Sequence, residues 1–214
     1  MLKKSLLLLA VVGATLPAVS HAEEASPLSF NLGAVTDYRY RGIAQTRFEP
    51  ALQGGIDLAL PAGFYIGTWG STVKWIKDSG GDASAEVDVY AGWKKEVVSG
   101  LTLDVGVLQY LYPEAKTPAW DAAYASPDTL EVYTAVTFGP ATVKYSHAVT
   151  NLFGNRDSKG SGYLDLSAGF EVAGLTLTPH VGYQKVKGYT NTLSYTDYSF
   201  TVSKDISGTV VSLA

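Results

Sequence analysis

Five glycines recur along this chain at nearly even intervals, and the residues after each one alternate between apolar and polar side chains. The intervals are 37, 39, 35 and 34 residues, and the glycines are Gly63, Gly100, Gly139, Gly174 and Gly208. Alternation with a period of two predicts strands that have one apolar and one polar face. A repeat of about 36 residues holds two strands of about ten residues, a tight turn and a longer loop. The pattern is typical of an up-and-down antiparallel β-barrel.

The predicted strands are joined alternately by short glycine turns and by longer polar connections. Their ranges are 29–41, 51–60, 64–75, 84–94, 101–111, 129–138, 141–150, 162–172, 175–187, 195–204 and from 209 onward. The longer connections are 42–50, 76–83, 112–128, 151–161 and 188–194. Short turns on one side and long loops on the other are typical of outer-membrane barrels, whose short turns face the periplasm. We therefore predict an all-β chain that forms a transmembrane barrel.

The N-terminus is predicted to be a secretory signal peptide over residues 1–22. Lys3 and Lys4 precede a short apolar run at 5–12, and we expect cleavage after Ala22. The rest of the chain, 23–214, is predicted to be one barrel domain, and it contains no apolar stretch long enough for a transmembrane helix. It carries 14 basic and 20 acidic residues, a net charge of −6, and no cysteine. This balance disfavours a nucleic-acid partner, and disulfide or thiolate chemistry is excluded.

Three features favour an apolar surface that faces lipid over an apolar interior. A barrel of ten or more strands is too wide for its own side chains to fill, and the signal peptide exports the chain. Aromatic residues on the apolar faces also fall in two rows, as in the interfacial girdles of membrane barrels. The row near the short turns is Phe30, Phe64, Trp93, Phe138, Phe170 and Phe200, and the row near the long loops is Tyr38, Tyr40, Tyr145 and Tyr183. A water-soluble β-sandwich or barrel is the alternative.

Charged side chains in the strand middles are predicted to line the lumen, because an Arg or Lys facing lipid at mid-depth costs roughly 2–4 kcal/mol. The predicted lining residues are Asp37, Arg39, Arg41, Asp57, Glu86, Asp88, Asp104, Glu131, Lys144, Asp165, His180 and Asp197. Acids outnumber bases in this set. The sequence therefore predicts a passage with a mild preference for cations.

Two segments each leave two interpretations open. The motif over residues 37–42, D-Y-R-Y-R-G, either forms a charged wall near the outer mouth of the pore or a salt-bridge network that braces the barrel. The longest connection, 112–128, either folds into the mouth as a constriction anchored by Trp120 and Tyr124, or is an exposed external loop.

We predict no catalytic site, no metal site and no cofactor. Only His147 and His180 remain after signal cleavage. His147 falls on the apolar face near a long loop, where contact with the membrane interface is expected. His180 is expected to face the lumen, where it could pair with a carboxylate, but no serine stands out beside it. Aspartates and glutamates are spread over many strands without the clustered spacing of metal ligands.

Several segments resemble the TorF-type porins, a proteobacterial family long catalogued as being of unknown function. They are T-D-Y-R-Y-R-G-I-A-Q-T (36–46), P-A-L-Q-G-G-I-D-L (50–58), G-F-Y-I-G-T-W-G-S-T-V (63–73) and E-V-D-V-Y-A-G-W (86–93). The resemblance implies an outer-membrane barrel that conducts small solutes, and it supplies neither a substrate nor catalytic residues. Such chains usually continue for another hairpin and end in an aromatic residue. We therefore expect a barrel of about 12 strands, of which 10 to 11 are present here.

The predicted function is passive diffusion of small polar or charged solutes across the outer membrane. The expected partners are outer-membrane lipid, the barrel assembly machinery and the solutes, and a monomer is favoured. A structural or adhesive barrel with a plugged lumen is the alternative, and an outer-membrane lipid-modifying enzyme is a more distant one.

Overall fold

A computed structural model describes residues 26–214, so the predicted signal peptide at 1–22 lies outside the described residues. The fold is all-β, with 59% strand and 7% helix. One antiparallel sheet contains 12 strands, and a separate ribbon contains two. Within the described part of the chain, no helix is long and apolar enough to cross a membrane.

The elements follow one another along the chain with short turns and longer loops in alternation. The strands are β1 (Leu28–Val35), β2 (Arg39–Tyr40), β3 (Ile43–Ala44), β4 (Ala51–Ala59), β5 (Phe64–Thr72), β6 (Ala85–Val98), β7 (Leu101–Leu111), β8 (Thr129–Phe138), β9 (Ala141–Ala148), β10 (Gly162–Ala168), β11 (Phe170–Val172), β12 (Leu175–Lys185), β13 (Tyr195–Ile206) and β14 (Thr209–Leu213). The helices are α1 (Trp75–Asp78) and α2 (Pro118–Ala123), and a 3₁₀ turn covers Pro61–Gly63.

Strands of the large sheet pair with their neighbours in sequence, which confirms the predicted up-and-down order. The order runs from β1 through β4, β5, β6, β7, β8, β9, β10, β12 and β13 to β14. Strands β10 and β11 pair with β12 in one continuous register, so together they form one interrupted strand of the sheet. Across residues 26–214 the sheet is not closed, because β1 and β14 are its edges.

The prediction of a first strand over 29–41 is wrong at its C-terminal end. Strand β1 stops at Val35, and β2 and β3 form the separate ribbon instead. Arg41 and Gly42 adopt φ angles of +47° and +78°, which end any extended run. The other predicted strands are observed with ends that shift by up to four residues, apart from the break between β10 and β11.

Apolar side chains cover the outer surface of the sheet, and polar side chains face its inner surface. Phe30 on the apolar face of β1 is 57% exposed, whereas Glu86 on the polar face of β6 is 2% exposed. The same inversion holds for exposed Leu52, Val107 and Val143 against buried Gln53 and Ser146. A water-soluble protein buries its apolar side chains instead.

The two predicted aromatic rows are present on the outer surface with two exceptions. Exposed members are Phe30, Phe64, Phe138, Phe170 and Phe200 near the short turns and Tyr145 and Tyr183 near the long loops, while Trp93 is partly buried. Tyr38 and Tyr40 were placed wrongly in the outer row. They belong to the segment that leaves β1, and they pack inside the sheet with Tyr110 and Trp69.

The sheet curls strongly enough for side chains three strands apart to meet. The Tyr65 hydroxyl on β5 hydrogen-bonds the Tyr133 hydroxyl on β8, and it donates to Asp104 Oδ1 on β7 at 2.7 Å. The enclosed polar space is called the lumen below. Three lumen tyrosines each lie over a glycine directly opposite on the neighbouring strand; the pairs are Tyr65 with Gly92, Tyr90 with Gly67 and Tyr133 with Gly106.

The packing of Tyr133 over Gly106 predicts a cost for any side chain at Gly106. A Cβ there would stand 2.5 Å from the Tyr133 hydroxyl oxygen and 2.7 Å from the Ala91 carbonyl oxygen. Overpacking costs about 1–3 kcal/mol, which outweighs the gain of under about 1 kcal/mol from a stiffer unfolded chain. We expect Gly106→Ala to lower the free energy of unfolding in a urea titration. Val107→Ile, which adds one methyl group on the outer surface, is the control and leaves that free energy within about 0.5 kcal/mol.

Candidate functional site in the lumen

The segment between β1 and β4 folds into the lumen at its long-loop end. Residues 38–46, called the inner ribbon here, contain β2, β3 and the two-residue turn at Arg41 and Gly42. Positive φ angles at both turn residues are those of a type I′ turn, which matches the twist of a tight hairpin. At Arg41 this conformation is strained, since a side chain disfavours it.

Arg41 holds the inner ribbon to the opposite side of the wall. Its guanidinium donates to Glu131 Oε1 at 3.0 Å and to Oε2 at 2.7 Å, and also to Gln184 Oε1 at 2.9 Å. The side chains of Arg41 and Glu131 are 6% and 2% exposed. Such a two-point contact between buried charges is strong and strict in geometry. It fixes the ribbon between β8 and β12 and offsets the strain at Arg41.

Aromatic rings enclose the same guanidinium. Its central carbon lies 4.8 Å from the centre of the Tyr40 ring and 4.4 Å from that of Tyr163. Burial is the largest single influence and lowers the pKa of Arg41, but the Glu131 carboxylate, Tyr40 and Tyr110 together raise it by more, so the net pKa is raised and the group stays charged. The Arg41 side chain therefore keeps its positive charge at this depth in the lumen.

A second contact joins the inner ribbon to β6. Glu86 accepts hydrogen bonds from the Tyr38 hydroxyl at 2.8 Å and from the Tyr112 hydroxyl at 2.5 Å. Burial raises the pKa of both hydroxyls well above the ordinary value, and the Glu86 charge raises it further. Both tyrosines therefore stay protonated and act as donors. The inner ribbon thus braces the wall, as one of the two interpretations of the 37–42 motif predicts.

Nearer the short turns, acidic side chains line the lumen wall between tyrosines. Tyr90 donates to Asp57 Oδ1 at 2.5 Å, and Asp104 accepts from Tyr65. Lys144 lies 4.2 Å from the centre of the Tyr133 ring. Lys94, which the sequence analysis did not single out, lies opposite Asp104 on the same face.

His180 contacts two carboxylates on neighbouring strands. Its Nε2 lies 2.8 Å from Asp165 Oδ2, and its Nδ1 lies 3.7 Å from Asp197 Oδ1. Tyr163 donates to Asp197 Oδ2 at 3.0 Å and completes the group. The expectation that His180 faces the lumen and pairs with a carboxylate agrees with this geometry.

Hydrolytic chemistry needs a nucleophile hydrogen-bonded to the histidine. Ser167 and Ser199 lie opposite His180 on the two adjacent strands. Within residues 26–214 neither hydroxyl is hydrogen-bonded to the imidazole. In the same range, no group of three or more His, Cys, Asp or Glu side chains is arranged to hold a metal ion.

Asp37 and Arg39 do not join the predicted lining of the lumen. They form a local ion pair of 2.8 Å, and the Arg39 side chain is 56% exposed. Asp37 also accepts from the Phe48 amide at 3.1 Å. The sequence analysis placed Arg39 and Arg41 on one strand face, but the turn at Arg41 breaks the alternation, so the two side chains separate.

Asp88 and Trp69 occupy directly opposite positions on β6 and β5; inside the sheet, Asp88 is buried and Trp69 is partly buried. Among the described residues, Asp88 Oδ1 and Trp69 Nε1 have no hydrogen-bond partner. A hydrogen-bond acceptor and a hydrogen-bond donor therefore lie unpaired at opposite positions on two neighbouring strands. The ring centre of Tyr38 is 5.6 Å from that of Trp69.

The 112–128 connection folds over the long-loop end of the barrel and is anchored at one aromatic residue. Trp120 is completely buried, with ring centres 5.9 Å from Trp75 and 4.7 Å from Tyr124. Thr117 caps helix α2 by accepting from the Trp120 amide at 3.1 Å. Trp120 is therefore an anchor, whereas Pro118, Ala119 and the residues 121–123 of the same segment are exposed, so a constriction of the mouth stays a prediction.

Several lumen residues were missed in the sequence analysis because they are uncharged. They are Tyr65, Tyr90, Tyr110, Tyr133, Tyr163 and Gln184. Some of these tyrosines could have been predicted. A tyrosine that alternates with glycines on the polar face of a strand indicates an aromatic ring that lies over the backbone of the neighbouring strand.

The chain matches, over residues 21–214, the model of a family described as a bacterial protein of unknown function (Gcw_chp). It therefore belongs to this family of bacterial proteins. No curated protein and no solved structure matches the chain. The resemblance to TorF-type porins stays a prediction from the sequence.

The burial of Arg41 and Glu131 predicts that replacing one partner lowers the free energy of unfolding much more than replacing both. Arg41→Leu leaves the Glu131 charge buried without its partner, which costs about 3–5 kcal/mol. Urea unfolding of the protein in lipid vesicles measures this loss, and we expect Arg41→Leu/Glu131→Leu to recover most of it. Arg39→Leu, which removes an exposed partner, serves as the control and costs less than about 1 kcal/mol. Equal losses for Arg39→Leu and Arg41→Leu would contradict the assignment.

Proposed function

We propose that this protein is an outer-membrane β-barrel through which small polar solutes diffuse passively, with a mild preference for cations. The single observation that carries the proposal is the inverted sheet, with apolar side chains outside and carboxylates inside. Exposed apolar surface on every wall position is unfavourable in water and favourable against acyl chains. The strands between the two edges, β1 and β14, satisfy their backbone hydrogen bonds within the sheet, which lipid requires.

The charge of the lumen supports the preference for cations. After Asp37 and Arg39 are set aside, seven predicted acids face the lumen: Asp57, Glu86, Asp88, Asp104, Glu131, Asp165 and Asp197. The bases are Arg41, Lys144 and Lys94, and Arg41 is neutralised by Glu131. Carboxylates along a pore raise the local concentration of cations.

The inner ribbon is the narrow point of the proposed passage. Tyr110, Glu131 and Gln184, which surround Arg41, are each at most 2% exposed, so little space remains at this level. This dense packing also favours a second candidate, a structural or adhesive barrel whose lumen the ribbon plugs. The two candidates differ in whether ions cross the folded protein.

Conductance across planar lipid bilayers tests the channel. We expect the wild-type protein to give small discrete current steps, and a variant with residues 38–44 replaced by Gly and Ser to give larger ones. Replacement of 188–194, a segment of equal length that joins β12 to β13, is the control and leaves the step size unchanged. A silent wild type with a conducting ribbon variant would establish the plugged barrel. Silence of both folded proteins would refute a channel.

Reversal potentials under a salt gradient test the charge preference. We expect cations to be favoured, and Asp57→Asn/Asp104→Asn to move the cation-to-anion permeability ratio toward one, because two carboxylates near the short turns become neutral. Asp121→Asn/Asp157→Asn, in external loops, makes the same change in net charge and leaves the ratio as in the wild type. A preference of the wild type for chloride would contradict the proposal.

A further inference from the structure

A basic groove lies on the outer surface of the sheet where β9, β10 and β12 meet the long loops. A cavity of about 860 Å³ is lined by Lys159, Lys185, Lys187 and His147, and Asp157 is its single acid. All three lysines are exposed, and His147 is half-buried. The groove is on the lipid-facing side of the sheet and is separate from the lumen.

The residues below the groove form layers that change in character along the wall. His147 and Lys185 flank Gly162 at one level, and Tyr145 and Tyr183 flank Leu164 at the next. Two residues further on, Val143 and Val181 flank Leu166. Adjacent levels are about 7 Å apart along a strand. Charge, aromatic and aliphatic layers therefore succeed one another on three adjacent strands.

The aromatic layer reaches up to the basic one. A Cβ at Gly162 would stand 2.5 Å from the Tyr145 hydroxyl oxygen, so this hydroxyl lies over Gly162 between His147 and Lys185. Lys187 and His147 approach each other in the same way across Gly160, where a Cβ would stand 3.5 Å from Lys187 Nζ and 3.9 Å from His147 Cε1. Donors from separate strands and loops therefore converge on one spot.

The lysines of the groove have no acidic partner, whereas four other cations of the long-loop end each have one. Arg47 pairs with Asp78, Lys74 with Glu49, Lys77 with Asp82 and Arg39 with Asp37. Within residues 26–214, Lys159, Lys185 and Lys187 form no ion pair within 4.0 Å, and Asp157 forms none with them. Unpaired cations directly above an apolar belt attract an anion that belongs to the membrane surface.

We infer that this groove binds the phosphate headgroup of a membrane lipid on the long-loop side of the barrel. The inference rests on the membrane location proposed above. A lipid phosphate stands directly above the acyl chains, which is where the basic layer stands relative to the aliphatic layer. The lysines donate to the phosphate oxygens, the tyrosines occupy the interfacial level, and the lipid chains run along the valines and leucines. A free phosphate ion would use only the uppermost layer.

Lipid binding to the full-length protein, folded in a neutral detergent, tests the inference. Native mass spectrometry counts retained phosphatidic acid, with zwitterionic phosphatidylcholine, whose headgroup has no net charge, as the comparison lipid. We expect Lys159→Gln/Lys185→Gln/Lys187→Gln to weaken phosphatidic acid binding about tenfold, because each lysine near an anionic headgroup contributes to attraction. The matched control Lys95→Gln/Lys116→Gln/Lys204→Gln removes the same charge from other exposed sites and binds as the wild type. Gel mobility before and after heating confirms that each variant is folded.

Three results would overturn the inference. One is unchanged binding by the groove variant, and another is equal weakening by the control variant, which would mean general charge attraction. The third is displacement of phosphatidic acid by millimolar inorganic phosphate, which would make the groove a site for free phosphate. Conductance separates this inference from the proposed function: a conducting protein that fails to bind phosphatidic acid refutes only the lipid site, and a silent protein that binds it refutes only the channel.

Discussion

The orientation of the sheet's two faces is the constraint on which the rest of this structure depends. Backbone groups pair along the sheet from β1 to β14, so side chains alone decide which surroundings each surface tolerates. The outer surface is almost wholly apolar or aromatic between its charged rims, and the inner one carries the carboxylates. Each buried charge therefore needs a partner inside the lumen, because the outer face offers none. The hydrogen-bonded clusters around Glu131, Glu86 and His180 follow from that need.

The inner ribbon connects this constraint to the width of the lumen. One guanidinium, on a strained turn, joins β8 and β12 and packs against a tyrosine of β10. Its position narrows the polar lumen at the level of the inner ribbon. In the proposed channel, the same contacts that hold the ribbon set what can pass, and stability and permeability depend on shared residues. The basic groove is independent of them, since it lies on the other surface.

Much of the fold was readable from local patterns. Strands β7 (101–111) and β8 (129–138) begin and end where alternation and glycine turns place them. The lumen positions of Asp104, Glu131 and His180 follow from the same alternation. The prediction was wrong where a segment leaves the wall, since residues 36–41 keep the alternating pattern of a strand. Tyr38 and Tyr40 were placed outside for that reason, and Arg39 was placed in the lumen.

Sequence alone determined the period of the strands, their order and which side chains share a face, because each of these depends on neighbouring residues and on short turns. Only the tertiary structure decided that the inner ribbon turns into the lumen, and that Arg41 rather than Arg39 is buried there. The partners of Arg41 are 90 and 143 residues away along the chain. Contacts over such separations form only when the sheet curls, so no local pattern encodes them. The same holds for the groove, whose lysines meet only once β9, β10 and β12 lie side by side.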